Sequence, residues 1–125
     1  MLDIDNFKAI NDTHGHSVGD EVIRTVAARM AAGVREGDLV ARYGGEEFAV
    51  LLAEPAAEPS ERIRTAIAAE PVRTAAGPVA VTVSIGVFRA STPIADLRLA
   101  ALLQQADEAL YEAKRAGRNQ CVYRG

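Results

Sequence analysis

Apolar residues along this 125-residue chain change their spacing from one stretch to the next, and the spacing predicts the elements. Met1–Ile4 reads as a truncated strand, with Leu2 and Ile4 alternating with Asp3 and Asp5. Phe7–Gly19 reads as a short helix or turn followed by a loop rich in Gly, His, Asn and Asp. Asp20 can cap a helix that runs to Ala32, because its carboxylate accepts from the N–H groups of a first turn. Val22, Ile23, Val26, Ala27 and Met30 form the helical stripe, and Gly33 suits the stop. Leu39–Tyr43 and Phe48–Leu52 are two β-prone runs around Gly44-Gly45, a hairpin signal. Pro55 and Pro59 break the chain, and Ser60 precedes a helix to Ala69 with Ile63, Ala66 and Ile67 inward. Gly77-Pro78 leads into a strand over Val79–Phe88, where Val79, Val81, Val83, Ile85 and Val87 alternate with smaller residues. Leu99–Arg115 is predicted as the last long helix, with Leu99, Leu102, Leu103, Ala106, Leu110 and Ala113 on one face, and Gly117 ends it. Tyr111 and Phe48 read as core residues, and Gln120–Tyr123 as a final strand. The order β-α-β-β-α-β-α-β predicts an α+β fold, helices flanking a central, mostly antiparallel sheet.

The length suits one domain over residues 1–125, and a hydrophobic share of 49% suffices for a core. A net charge of −3 disfavours nonspecific nucleic-acid binding, and no basic run or aromatic pair suggests RNA binding on the sheet. Cys121 is the only cysteine, which excludes an internal disulfide and a cysteine zinc cluster. No apolar run approaches the roughly 18 residues of a membrane span, and no signal peptide is recognisable. A cytoplasmic location is therefore expected.

Chemistry concentrates where acids meet apolar ends. Glu46 and Glu47 stand side by side after the two glycines, where neighbouring carboxylates repel unless a cation or a buried proton is present. Asp3 and Asp5 form a second acidic pair at the end of another apolar segment. Carboxylates from two strand ends, brought together, suit Mg²⁺, which takes oxygen ligands and retains substrate phosphates. That is the arrangement of a phosphoryl- or nucleotidyl-transfer site. His14 and His16, two apart on a Gly-rich loop with no third ligand nearby, read as loop packing rather than a metal site.

Several separated motifs occur in one order. They are Asp3-Ile4-Asp5-Asn6-Phe7-Lys8-Ala9-Ile10-Asn11-Asp12, His14-Gly15-His16-Ser17-Val18-Gly19-Asp20, Gly44-Gly45-Glu46-Glu47-Phe48, Ala106-Asp107-Glu108-Ala109-Leu110-Tyr111-Glu112-Ala113-Lys114 and Gly117-Arg118-Asn119. Together they resemble the GGDEF family, the diguanylate cyclases, from the first residues to Tyr123. The family's domain normally begins roughly forty residues earlier, with a helix and the start of the first strand. The resemblance implies the palm-like core of nucleotide cyclases. The shortened first strand leads to the expectation of a marginally stable chain, or of one that recruits a neighbour to complete its sheet.

The resemblance also implies roles. Asp3, Glu46 and the main-chain carbonyl of Ile4 would hold Mg²⁺, with Mn²⁺ as a substitute; the bland alternative is solvated turn acids. Glu47 would act at the 3′-hydroxyl of GTP, as base or second metal ligand. Asp5 has a structural reading as well as a direct one. Asn11 and Asp20 would read guanine, whose N1–H and 2-amino donors a carboxylate accepts together and adenine lacks; Asp20 is also read as a helix cap. Phe7 and Lys8 would hold phosphate at free main-chain N–H groups. Lys114 and Arg118, spaced i, i+4 and so sharing a helical face, would reach the triphosphate; otherwise they balance a helix C-terminus. Arg35, Asp38 and Arg62 match an inhibitory product-binding site, against which stands a local Arg–Asp ion pair closing the Gly37 loop. Arg42 and Tyr43 shape the strand before the turn.

The implied activity is condensation of two GTP to cyclic di-GMP and two pyrophosphates by a homodimer. A non-enzymatic alternative is an inactive module that binds cyclic di-GMP through Arg35, Asp38 and Arg62.

Overall fold

The structure, a computed structural model, describes residues 1–53, 57–91 and 98–125. Its elements are β1 (Leu2–Ile4), α1 (Phe7–His14), α2 (His16–Gly33), β2 (Leu39–Arg42), β3 (Glu47–Leu51), α3 (Ala57–Ala68), β4 (Val72–Thr74), β5 (Gly77–Val79), β6 (Val83–Phe88), α4 (Leu99–Arg115) and β7 (Cys121–Arg124). Five strands form one sheet in the order β2-β3-β1-β6-β7. All pairs are antiparallel except β6 with β7. The short first strand is therefore central rather than an open edge. It pairs Leu2 with Phe48 on one side and Leu2 with Ile85 on the other. Met1 extends the ladder, exchanging main-chain hydrogen bonds with Gly86 at 2.8 Å in both directions.

The alternation of β1 sets the two faces. Leu2 and Ile4 point into the larger core, with Ile10, Val22, Val26 and Met30 from α1 and α2, Ile63 and Ile67 from α3, and Phe48, Val83 and Ile85. Met1 points the other way, against Ala106 and Leu110 of α4. Strand β6 follows the same rule. Val83, Ile85 and Val87 enter the larger core, while the intervening small residues let α4 lie close on the opposite face.

Five expectations are corrected. Gly15, at φ 91°, alone separates α1 from α2. So α2 starts at His16, Val18 and Gly19 are buried in its first turns, and Asp20 lies inside it rather than capping it. Pro59 sits within the first turn of α3, where a missing N–H costs nothing; Pro55 lies outside the described residues. The run Val79–Phe88 is split, because Gly77–Val79 turns back on Val72–Thr74 as a separate hairpin. Tyr111 is 63% exposed, since Leu110 takes the inward position and the next residue on a helix points away. Arg115 lies over its ring. Leu99, in the first turn of α4, is exposed as well.

Arg29 of α2 donates to the carbonyls of Ile67, Glu70 and Pro71, at 2.9, 2.7 and 3.3 Å. A cation there satisfies carbonyls that α3 leaves open at its end. Arg29→Ala is expected to lower stability by about 1–3 kcal/mol in urea unfolding.

Candidate active site

β1 delivers two acids to the α4 side of the sheet, and they differ in use. Asp5 is buried, and its carboxylate accepts from Thr82 Oγ1 at 2.7 Å, Ser84 Oγ at 2.6 Å and the main-chain N–H of Asn119 at 3.0 Å. It joins β1, β6 and the turn after α4, which is the structural reading. Asp3 is also buried, and its Oδ2 lies 2.8 Å from Lys114 Nζ on α4. Burial pushes the Asp3 carboxyl up to about 6. Lys114 pulls it down, while the negative charges of Glu46 and Glu47 push it up again.

The turn between β2 and β3 carries the second pair of acids. The N–H groups of Tyr43 and Gly44 donate to the Glu47 carbonyl at 2.8 and 3.2 Å. The Arg42 guanidinium clamps the same turn by donating to the carbonyls of Gly44 and Gly45. The hairpin forms as expected, although neither glycine has positive φ. The connection is longer than a two-residue turn, so the left-handed conformation is not required. What Gly45 supplies is open space, with no atom within 4 Å of where its Cβ would be. The Ile4 N–H donates to the Glu46 carbonyl at 3.2 Å, which ties this turn to β1. Glu47 pairs across the ladder with Asp3, so the two side chains share a face.

Asp3, Ile4, Glu46, Phe7, Lys8, Lys114 and Arg118 all line one cavity of about 410 Å³. The first turn of α1 borders it, entered through Asn6 at φ 55°. The first N–H groups of a helix have no acceptor within the helix, and so favour an anion. Lys114 and Arg118 converge here, but not by helical spacing. The helix ends at Arg115, and Arg118 and Asn119 turn in the left-handed region at φ 64° and 48°. The Arg118 N–H closes this turn on Ala113 O at 3.0 Å, and Asp5 holds it through Asn119.

Asn11 and Asp20 sit on α1 and α2 rather than in the cavity lining. Asp20 is exposed. Asn11 packs against Gly19, and its Oδ1 is buried without a hydrogen-bond partner. His14 and His16 are exposed at the helix junction.

Arg35, Asp38 and Arg62 form a separate group. The Asp38 carboxylate accepts from the main-chain N–H groups of Arg35 at 2.8 Å and Ala53 at 3.0 Å. These bonds, with the nearby Arg35 and Arg62 charges, hold its carboxyl below the usual range. Arg62 donates to the Gly33 carbonyl at 2.9 Å. Asp38 thus closes the Gly37 loop through main-chain N–H groups.

The donors fit a hard divalent cation: two carboxylates, Asp3 and Glu46, and the Ile4 carbonyl, all oxygen. Among the described residues no three His, Cys, Asp or Glu gather as a metal cluster. No helix among the described residues is long and apolar enough to cross a membrane. The sequence did not single out Gly19, nor the clamp of Arg42 on the glycine carbonyls. A glycine inside a helical stretch was the available signal for the first.

Residues 1–120 match the family model described as diguanylate cyclase, GGDEF domain. The response regulator PleD of Caulobacter vibrioides is 44% identical over 126 residues, covering 98% of this chain and 28% of PleD. Diguanylate cyclase SiaD of Pseudomonas aeruginosa, solved with its activator SiaC, superimposes with a TM-score of 0.90 at 38% identity, over 98% of this chain and 48% of that one. The GGDEF domain of DgcB from Caulobacter crescentus, solved in complex with c-di-GMP, gives a TM-score of 0.85 at 37% identity, over 98% and 74%. The chain therefore spans well under half the length of the curated relative it matches.

Proposed function

The chain belongs to the GGDEF family of diguanylate cyclases, and from that premise we propose that it condenses two GTP to cyclic di-GMP and two pyrophosphates. One observation carries the reading. Buried Asp3 and half-buried Glu46 face a cavity that also receives the α1 N-terminus, Lys8, Lys114 and Arg118. Acids for a cation and donors for a triphosphate meet there. Asp3, Glu46 and the Ile4 carbonyl would hold Mg²⁺, which would supply charge neutralisation of the triphosphate and a lowered pKa for the attacking hydroxyl. Phe7 and Lys8 take phosphate oxygens at the helix start, and Lys114 and Arg118 take them from the α4 side. Asn11 and Asp20 read the guanine donors. Each 3′-hydroxyl attacks the α-phosphorus of the facing GTP, pyrophosphate leaves, and Glu47 accepts the hydroxyl proton. One domain offers one such half-site, so catalysis takes a two-fold dimer with the sites opposed.

Incubating the chain with GTP and Mg²⁺ and resolving the products tests this. Cyclic di-GMP and pyrophosphate are expected. Binding of cyclic di-GMP without turnover would select the non-enzymatic reading instead.

Arg35, Asp38 and Arg62 are proposed to bind the product. A guanidinium suits a phosphate or the Hoogsteen edge of guanine, and each Asp38 oxygen keeps a second lone pair for a base N–H. Cyclic di-GMP is expected to bind with micromolar or better affinity. Arg35→Ala should lose this binding and keep GTP binding, as calorimetry would show. Equal product affinity in the variant would reduce the group to a loop closure.

A further inference from the structure

We infer that Gly19 sets the guanine preference of the site by making the slot in which the Asn11 amide sits, an inference that rests on reading Asn11 as a base contact. Gly19 lies one turn into α2 and is buried. Glycine is among the poorest helix formers, and the φ of Gly19 is not in the left-handed region. Local backbone conformation therefore gives no reason for a glycine here. The neighbouring helix does. A Cβ at this position would lie 1.9 Å from Asn11 Oδ1, 3.0 Å from Asn11 Cγ and 3.2 Å from Phe7 Cζ.

Asn11 Oδ1 is also the one buried side-chain polar atom among the described residues that lacks a hydrogen-bond partner. An acceptor kept out of water without a donor is a standing cost, and such atoms are rare in folded chains. The amide can turn about its last side-chain bond and present that oxygen to a ligand donor. Guanine offers its 2-amino group, while hypoxanthine keeps N1–H and lacks that amine. The amide fills the space over Gly19, because no side chain projects from α2 at that point, and turning it exchanges the oxygen for the NH2 group in the same slot. Alanine at 19 forces Asn11 off its present rotamer. It also presses on Phe7, which begins α1 at the border of the cavity. Gly19 is thus a positioning residue that acts through Asn11.

Calorimetry with 3′-deoxy-GTP and 3′-deoxy-ITP, which lack the attacking hydroxyl, reads the effect on the 125-residue chain with Mg²⁺. The wild type is expected to prefer the guanine nucleotide by roughly tenfold. Asn11→Ala and Gly19→Ala should each bring the ratio close to one. A double variant, Asn11→Ala with Gly19→Ala, guards against simple misfolding. Alanine at 11 vacates the slot, so the double variant should melt above Gly19→Ala alone and share the base preference of Asn11→Ala alone. A wild-type ratio in Gly19→Ala overturns the inference, as does a double variant that melts no higher than Gly19→Ala. A wild-type ratio in Asn11→Ala removes Asn11 as a base contact, and the inference falls with it.

Discussion

Asp3→Asn is expected to abolish cyclic di-GMP synthesis and, at the same time, to stabilise the chain. The loss of activity follows because a neutral amide does not replace an anionic ligand for a hard cation. The gain in stability follows from what the charge costs. Asp3 is 3% exposed, and burial raises its carboxyl from 3.8 to about 6, with Glu46 and Glu47 adding to the rise and Lys114 opposing it. The folded chain thus holds this proton more tightly than the unfolded chain does. Between those two values stability falls as pH rises, and above them the full cost remains, about 3 kcal/mol. Asparagine keeps an oxygen for Lys114 and carries no charge. The variant should therefore unfold at higher urea than the wild type at pH 8 without divalent ions. The difference should shrink as pH falls from 6 towards 4. A variant that is less stable at pH 8, or that still makes product, contradicts the assignment.

A site that carries such a cost differs from a core, and the difference shows in what the sequence revealed. The hairpin, the existence of β1 and most of the stripe of α4 were legible because each is a local pattern of burial; the central place of β1 in the sheet was not. The acids at two strand ends were legible because charge next to an apolar run conflicts with burial. The partners of those acids were not. Asp5 meets Thr82, Ser84 and Asn119, and Asp3 meets Lys114, all far along the chain. No local spacing encodes those contacts. The Lys114–Arg118 pair shows the same limit from the other side. The family resemblance named two residues that do share the cavity, yet a left-handed turn rather than helical spacing brings the second one there.

The junction of α1 and α2 was read as loop for a related reason. Its Gly, His and Ser residues are loop formers by composition, and a single glycine serves as the end of one helix and the start of the next. Only the burial of Val18 and Gly19 against the rest of the domain identifies it as helix. Asp20 was assigned a capping role on the same misreading.

The largest loss of stability is expected from Gly86→Ala. Strand β6 presents Gly86 to α4, and a Cβ there would lie 2.1 Å from Leu110 N, 2.2 Å from Ala106 O and 2.7 Å from Leu110 Cα. These are main-chain atoms of a helix, so no side-chain rotation relieves the contact. The whole helix has to move outward, which opens the packing of Met1 against Ala106 and Leu110. Overpacking in cores costs about 1–3 kcal/mol when side chains can adjust, and a backbone contact this close should reach or exceed the upper end. Function should fail with it. Lys114 sits one turn beyond Leu110 on α4 and lies 2.8 Å from Asp3, so an outward shift of even about 1 Å breaks that pair. Gly45→Ala provides the control for folding, because the space around Gly45 is open; its stability should change by no more than about 0.5 kcal/mol. Urea unfolding of the two variants decides the matter. If Gly86→Ala unfolds at the same urea concentration as the wild type, α4 does not rest on β6 at this glycine, and the alignment of Lys114 with Asp3 must come from elsewhere.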